Sequence, residues 1–211
     1  MRMKVMFLIM FMSLMTGCSV DRESYDAGLF LSYIEPVYTY ETYIGDTRYE
    51  VWRENDNLCV SVFESDVTNL SYYHINGKDY LFNGLMDVFY ECDTSMSLND
   101  AFKQFTGMTL DAKDYEYVRR AADKEINGRQ YEMIEAKLKS SHKPVYFIID
   151  TEYQSWSCYL FPMGDQYQLC EIGGICGNNP GMESLFLLYG EPQIISREVF
   201  NDIVSKNFPI L

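Results

Sequence analysis

Covalent or acid–base chemistry in this 211-residue chain has to come from six cysteines, two histidines and 31 carboxylates. His142 sits in Lys139-Ser-Ser-His-Lys143 and reads as part of a solvated hairpin loop. His74 stands beside Asn76-Gly77 and reads as a strand end. Neither belongs to an HExxH pattern, and no CxxC pair has the ligand spacing of a zinc site. No GxSxG elbow or Walker-type glycine loop is present. Cys176, within Gly173-Gly-Ile-Cys-Gly-Asn-Asn-Pro-Gly181, comes nearest to a nucleophile, because a thiol among glycines with open backbone amides can attack a carbonyl. The same stretch reads more simply as a tight loop carrying a structural thiol. Carboxylates recur along the whole chain, so their spacing alone assigns no glycosidase-type pair. No catalytic, metal or cofactor-binding residue is assigned, and a non-enzymatic protein is expected.

Cys18 offers a different chemistry. Arg2 and Lys4 form a positive n-region, Val5 to Met15 an apolar run interrupted only by Ser13, and Thr16-Gly17 a pair of small residues. This order is that of a secretory signal. The apolar run is well short of the ~20 residues that a membrane-spanning helix needs. Met15-Thr16-Gly17-Cys18 resembles the lipobox of bacterial lipoproteins, with Met15 standing where Leu is usual. The resemblance implies that Cys18 is acylated and becomes the mature N-terminus. Each buried methylene adds ~0.8 kcal/mol, so two or more acyl chains hold a soluble domain on a bilayer. The expected organisation is a signal peptide over 1–17, a lipidated tether over 18–35 and one β domain over 36–211. The expected location is the cell envelope, lipid-anchored through Cys18 and facing the periplasm or the exterior.

Loss of Arg2 and Lys4 with the signal leaves 15 basic and 31 acidic residues, a formal charge of −16. Such a chain repels phosphate backbones, so no nucleic-acid partner is expected. It also lacks the polybasic character that grips anionic lipid, which leaves membrane attachment to the acyl chains. The 18 tyrosines and 13 phenylalanines suit a wide sheet with aromatic rings paired across strands. The same rings can line an apolar ligand cavity. Five cysteines remain after Cys18, so at least one thiol stays unpaired.

Period-two alternation dominates from Pro36 onward. Tyr38, Tyr40, Thr42 and Ile44 share a face; Tyr49 and Val51, then Leu58, Val60 and Val62, repeat the pattern. Asp56-Asn57 marks a turn, and Asn76-Gly77 is a favoured hairpin turn because both residues tolerate positive φ. A second Asn-Gly at 83–84 leads into a strand from Met86 to Cys92, completing a meander of about six strands. Gly28 to Glu35 forms either a short helical turn or a first strand. Ser97 caps a helix with Leu98, Phe102 and Phe105 on one side and Gly107 at its end. Strands resume at Tyr115 to Ile126, turn at Asn127-Gly128, and continue through 129–138, 144–150 and 156–161. Val145 to Ile149 is apolar on both faces and reads as a central, covered strand. Ser196 to Phe208 reads as a helix with Val199, Phe200, Ile203 and Val204 as its apolar stripe.

A three-residue hairpin loop, Met163-Gly164-Asp165, would place Cys158 opposite Cys170, close enough for a disulfide. The competing bridge is Cys170 to Cys176.

Two segments carry a family resemblance: HINGKDYLFNGLMDVFYECD (74–93), and EINGRQYEMIEAKL (125–138) running on through KPVYFIIDTEYQSWSCYLF (143–161). MESLFLLYGEPQII (182–195) follows as a closing segment. The arrangement is similar to the lipoprotein-carrier superfamily of LolA, LolB and LppX over about residues 36–195. The resemblance implies a mainly β (α+β) fold, a strongly curved antiparallel sheet or open half-barrel with a few covering helices. It further implies a lipid or other apolar ligand held between the sheet and the helices near Ser97–Phe105 and Ser196–Phe208, without cofactors, and with an envelope protein as a further partner. The alternative is a surface protein-interaction module with a packed interior.

Overall fold

The computed structural model describes residues 25–208, except 35, 45, 65–66, 127, 164–165 and 174–189. Cys18, the expected signal peptide over 1–17, Cys176 and the stretch 182–189 lie outside the described residues.

The chain opens with helix α1 (Ala27–Ser32) and a meander of β1 (Val37–Ile44), β2 (Thr47–Glu54), β3 (Asn57–Glu64), β4 (Val67–Ile75), β5 (Lys78–Asn83) and β6 (Val88–Cys92). Helix α2 (Leu98–Thr106) and a 3-10 turn (Ala112–Asp114) separate these from β7 (Tyr115–Ile126), β8 (Arg129–Leu138), β9 (Val145–Asp150), β10 (Ser155–Met163) and β11 (Gln166–Gly173). β12 (Gln193–Ile195) and helix α3 (Arg197–Asn207) close it. The hydrogen-bonded strand order is β12-β6-β5-β4-β3-β2-β1-β11-β10-β9-β8-β7, which leaves the sheet open at β12 and β7. The fold is mainly β, with an open sheet and three helices among the described residues. One strand departs from the expected antiparallel pattern: β12 runs parallel to β6. A strand so distant in sequence from its neighbour is free of the hairpin that forces antiparallel pairing.

Two compact units make up the chain: Met1–Ile34 with Ala112–Leu169, and Glu35–Asp111 with Cys170–Leu211. In the first, Asp26 starts α1 by accepting hydrogen bonds from the amides of Gly28 and Leu29, which decides for a helix over a strand at this point. α1 carries buried Phe30 edge-on against Phe147 (4.6 Å) and Tyr115 (5.8 Å). β9 buries both its faces, as its continuous apolar run anticipated.

In the second unit, Tyr38, Tyr40 and Thr42 are buried along one face of β1, following the period-two pattern. Asn76 and Gly77 adopt φ of +52° and +74° and close the β4–β5 hairpin. The β2–β3 turn sits one residue earlier than expected, with Asn55 at φ +55°. The second Asn-Gly behaves differently from the first. Asn83 turns its side-chain oxygen onto the amides of Leu85 (3.1 Å) and Met86 (3.0 Å), and Asp87 takes the positive φ. This side-chain turn outcompetes a two-residue hairpin, so β6 begins at Val88 rather than Met86.

Ser97 caps α2 through the Asp100 amide, and Gly107 ends it at φ +66°. Ser196 caps α3 through the Val199 amide. The buried stripe of the α3 segment is Phe200, Val204 and Phe208, spaced by four. Val199 is 48% exposed, so it drops out of the expected stripe.

Candidate functional site

The tight Asn76-Gly77 turn places His74 of β4 directly opposite Asp79 of β5. The alternation of β4 then puts Tyr72 on the same face, diagonal to Asp79. Asp79 is in phase with buried Leu81, so an acid occupies a core position, and it is 0% exposed. An unpaired carboxylate there would be strongly disfavoured.

Four donors satisfy it. Tyr72 Oη–H donates to Oδ1 (2.9 Å), and His74 Nδ1 lies 2.8 Å from the same oxygen. The Met96 backbone N–H donates to Oδ2 (2.9 Å), as does Arg197 Nη2 (2.7 Å). The Asp79 amide in turn donates to Ser95 Oγ (3.0 Å). Burial alone would raise the Asp79 pKa; the hydrogen bonds from His74, the Met96 amide, Tyr72 and Arg197 outweigh it and hold the group below its ordinary value. Tyr72 moves the opposite way: burial and the neighbouring Asp79 charge push its hydroxyl well above the usual range, so it stays a donor.

Arg197 is the first residue of α3, and its contacts tie that helix to the sheet. Beyond Asp79, Nη2 also donates to the Thr94 carbonyl. The Arg197 backbone N–H donates to Asp93 Oδ1 (2.9 Å), and the Asp93 N–H donates to the Ile195 carbonyl (2.9 Å). The guanidinium lies over the Phe200 ring at 4.9 Å. Its Nη1 has no hydrogen-bond partner among the described residues. Arg197 also forms part of the wall of a recess of about 220 Å³, with Ser95, Met96, Asp100, Gln104 and Asn201.

Beneath the two helices the sheet face is filled by rings. Tyr72 stacks on Phe105 of α2 at 3.8 Å and meets Phe200 of α3 edge-on at 6.1 Å. Phe105 meets Phe208 at 5.2 Å, and Phe102 is 0% exposed. This is where the sequence placed an apolar cavity. Among the described residues these rings pack on one another between helices and sheet, and most residues lining the recess beside them are polar.

The opposite face of the same strands carries Cys59, Tyr73, Ile75, Tyr80, Phe82 and Phe89, with Trp52 packed against them. Cys59 is a free thiol there, pushed up to about 12 by burial, with the Ser61 hydroxyl acting in the other direction. Cys92 is also a free thiol, raised by burial. Neither has the thiolate character of a nucleophile at neutral pH.

The first unit has buried carboxylates of its own. Glu135 accepts from Arg119 Nη2 (2.5 Å) and Tyr117 Oη (2.7 Å). Glu132 accepts from Arg120 Nε and from Tyr25 Oη (3.3 Å). Burial and Glu135 push the Tyr117 hydroxyl up to about 12. These are paired ions on neighbouring strands. Among the described residues, no group of three His, Cys, Asp or Glu side chains is placed to hold a metal ion.

Of the residues singled out from sequence, His142 is exposed in the β8–β9 connection, as read. His74 stands at the end of β4, as read, and is only 3% exposed because Asp79 gives its ring a partner inside the core. Cys158 and Cys170 are both buried. β10 ends at Met163 and β11 begins at Gln166, so two residues separate them where three were expected. Asp79, Tyr72 and Arg197 escaped notice. One signal for Asp79 was available, an acid in phase with Leu81 and next to the apolar run Tyr80-Leu81-Phe82.

No protein-family model matches the chain, and no curated protein matches its sequence. Among solved structures, it is similar to LppX, a lipoprotein of Mycobacterium tuberculosis, at 10% identity and a TM-score of 0.43, over 72% of this chain and 93% of LppX. The likeness is one of fold. An uncharacterized conserved protein from Thermus thermophilus gives 9% identity and a TM-score of 0.46, over 76% and 88% of the two chains. A DUF1329 family protein from Desulfovibrio piger gives 8% and 0.40, over 77% and 95%.

Proposed function

We propose that this is a non-enzymatic, lipid-anchored protein of the cell envelope that works through its surface as a protein-interaction module. Acylated Cys18 supplies the membrane attachment, and the acidic domain faces the periplasm or the exterior. The observation that carries the reading is the ring layer under α2 and α3. Tyr72, Phe102, Phe105, Phe200 and Phe208 are buried there, and four of these rings pack on one another, which favours a packed interior over an acyl-chain site. A binding pocket for a lipid-sized ligand usually encloses roughly 300 Å³ or more with mostly apolar walls. The recess beside Arg197 is smaller, and four of its five wall residues besides Arg197 are polar or charged. The carrier reading, with a lipid or other apolar ligand, is the alternative.

Native mass spectrometry of the chain from Ser19 onward, with lipid extraction of the same preparation, separates the two. A single apo mass, unchanged by added fatty acids and phospholipids, is expected. A stoichiometric co-purifying lipid would overturn the interaction-module reading and name the ligand class. Anchoring is tested on the full chain: Cys18→Ala is expected to move the protein out of the membrane fraction.

A further inference from the structure

Helix α3 meets its sheet through one buried carboxylate shared between an imidazole and a guanidinium. We infer that His74, Asp79 and Arg197 form a proton-sensitive latch, in which protonation of His74 frees Arg197 from Asp79 and loosens α3. The inference stands apart from the proposed function and needs no ligand.

Acceptor capacity at Asp79 is full. Asp79 has two oxygens, and each already serves two donors, Tyr72 and His74 on Oδ1, Met96 N–H and Arg197 on Oδ2. With a neutral imidazole, the buried charges are one carboxylate and one guanidinium, and they balance. An imidazolium adds a second cation to the same carboxylate, so two cations then compete for one acceptor in a largely buried cluster. One cation must leave.

The two cations differ in freedom. His74 is 3% exposed and fixed between β3 and β5 by strand pairing. The Arg197 side chain is 24% exposed, at the edge of the recess. Asp100, on α2, lines that recess with a largely exposed carboxylate; it already accepts from Ser97 Oγ (2.7 Å) and lies 3.9 Å from Lys103 Nζ, and it offers the released guanidinium a further acceptor. The other titratable groups nearby do not relieve the charge. Tyr72 is held as a donor, Cys92 on β6 is a raised thiol, and Asp93 is bonded to the Arg197 backbone N–H. Lys78 and Glu91 pair with each other at 2.6 Å. Loosening α3 withdraws Phe200 and Phe208 from Tyr72 and Phe105, so acid exposes the ring layer.

Hydrogen exchange on the full chain between pH 8 and pH 5.5, where imidazoles ordinarily titrate, tests the latch. After correction for the intrinsic rate, exchange of the α3 amides is expected to rise by up to about tenfold per pH unit, the limit for one linked proton. Amides of β8 and β9 are expected to show no such rise. His74→Gln is expected to abolish the dependence. Protection of α3 that is independent of pH in the wild type, or an unchanged dependence in His74→Gln, overturns the inference. If His74→Gln does not fold, the wild-type ring decides. His142→Gln, in an exposed loop, leaves His74 as the one histidine and makes its NMR titration unambiguous. Ring signals that titrate together with α3 amide shifts support the latch. A ring that keeps one protonation state across the range overturns it.

Discussion

Asp79→Asn removes one charge from the second unit and leaves the volume of the side chain unchanged. The carboxylate serves four donors, whereas an amide offers one oxygen and turns two N–H donors toward half of them. If the oxygen faces Tyr72 and His74, the amide nitrogen confronts the Met96 N–H and Arg197; the flipped amide orphans the other pair. Two buried donors lose their acceptor either way, each at about 1–3 kcal/mol. Arg197 is a quarter exposed and can turn partly to water, which places the loss in the lower half of the range, about 3 kcal/mol. With a urea slope of about 2 kcal/mol per molar, the midpoint falls by about 1.5 M. The chain has two tryptophans, Trp52 packed in the second unit and Trp156 in the first, so Trp156→Phe makes fluorescence report on the second unit alone. The Asp79 pKa lies below its ordinary value in the folded state, so its contribution is complete above the unfolded carboxylate value of about 3.9 and fades as pH falls toward the folded value. The gap between wild type and Asp79→Asn is therefore expected to be full at pH 7 and to narrow below about pH 4. A loss under about 1 kcal/mol at pH 7, or a gap that does not narrow in acid, refutes the reasoning.

Phe105→Ala removes a ring stacked on Tyr72 and edge-on to Phe208, and is expected to destabilise the second unit by about 3–5 kcal/mol in the same urea assay. Cys59, pushed up to about 12 by burial, is expected to resist iodoacetamide at pH 8 in the folded protein and to react fully in urea, as peptide mapping would show.

The sequence by itself determined the features that depend on near neighbours. Alternation along Tyr38, Tyr40 and Thr42 put those residues inside, because successive strand residues point to opposite faces. The Asn76-Gly77 hairpin, the Ser97 and Gly107 caps and the doubly buried β9 were legible for the same reason. Even locally there was competition: Asn83-Gly84 read as a second hairpin turn until the Asn83 side chain was seen bonding the amides two and three residues on. Tertiary structure alone decided the rest. His74 is buried because Asp79 meets it across a hairpin, and Asp79 is tolerable in the core because Arg197 reaches it from 118 residues away. Val199 faces outward while Phe200 faces in, a choice set by where α3 lands rather than by hydrophobicity. The filled layer under the helices is likewise a property of packing, since a run of aromatic residues reads the same whether the rings line a cavity or close it. Composition and period are written along the chain; which side chains share one small volume depends on contacts between distant segments, and only folding brings those together.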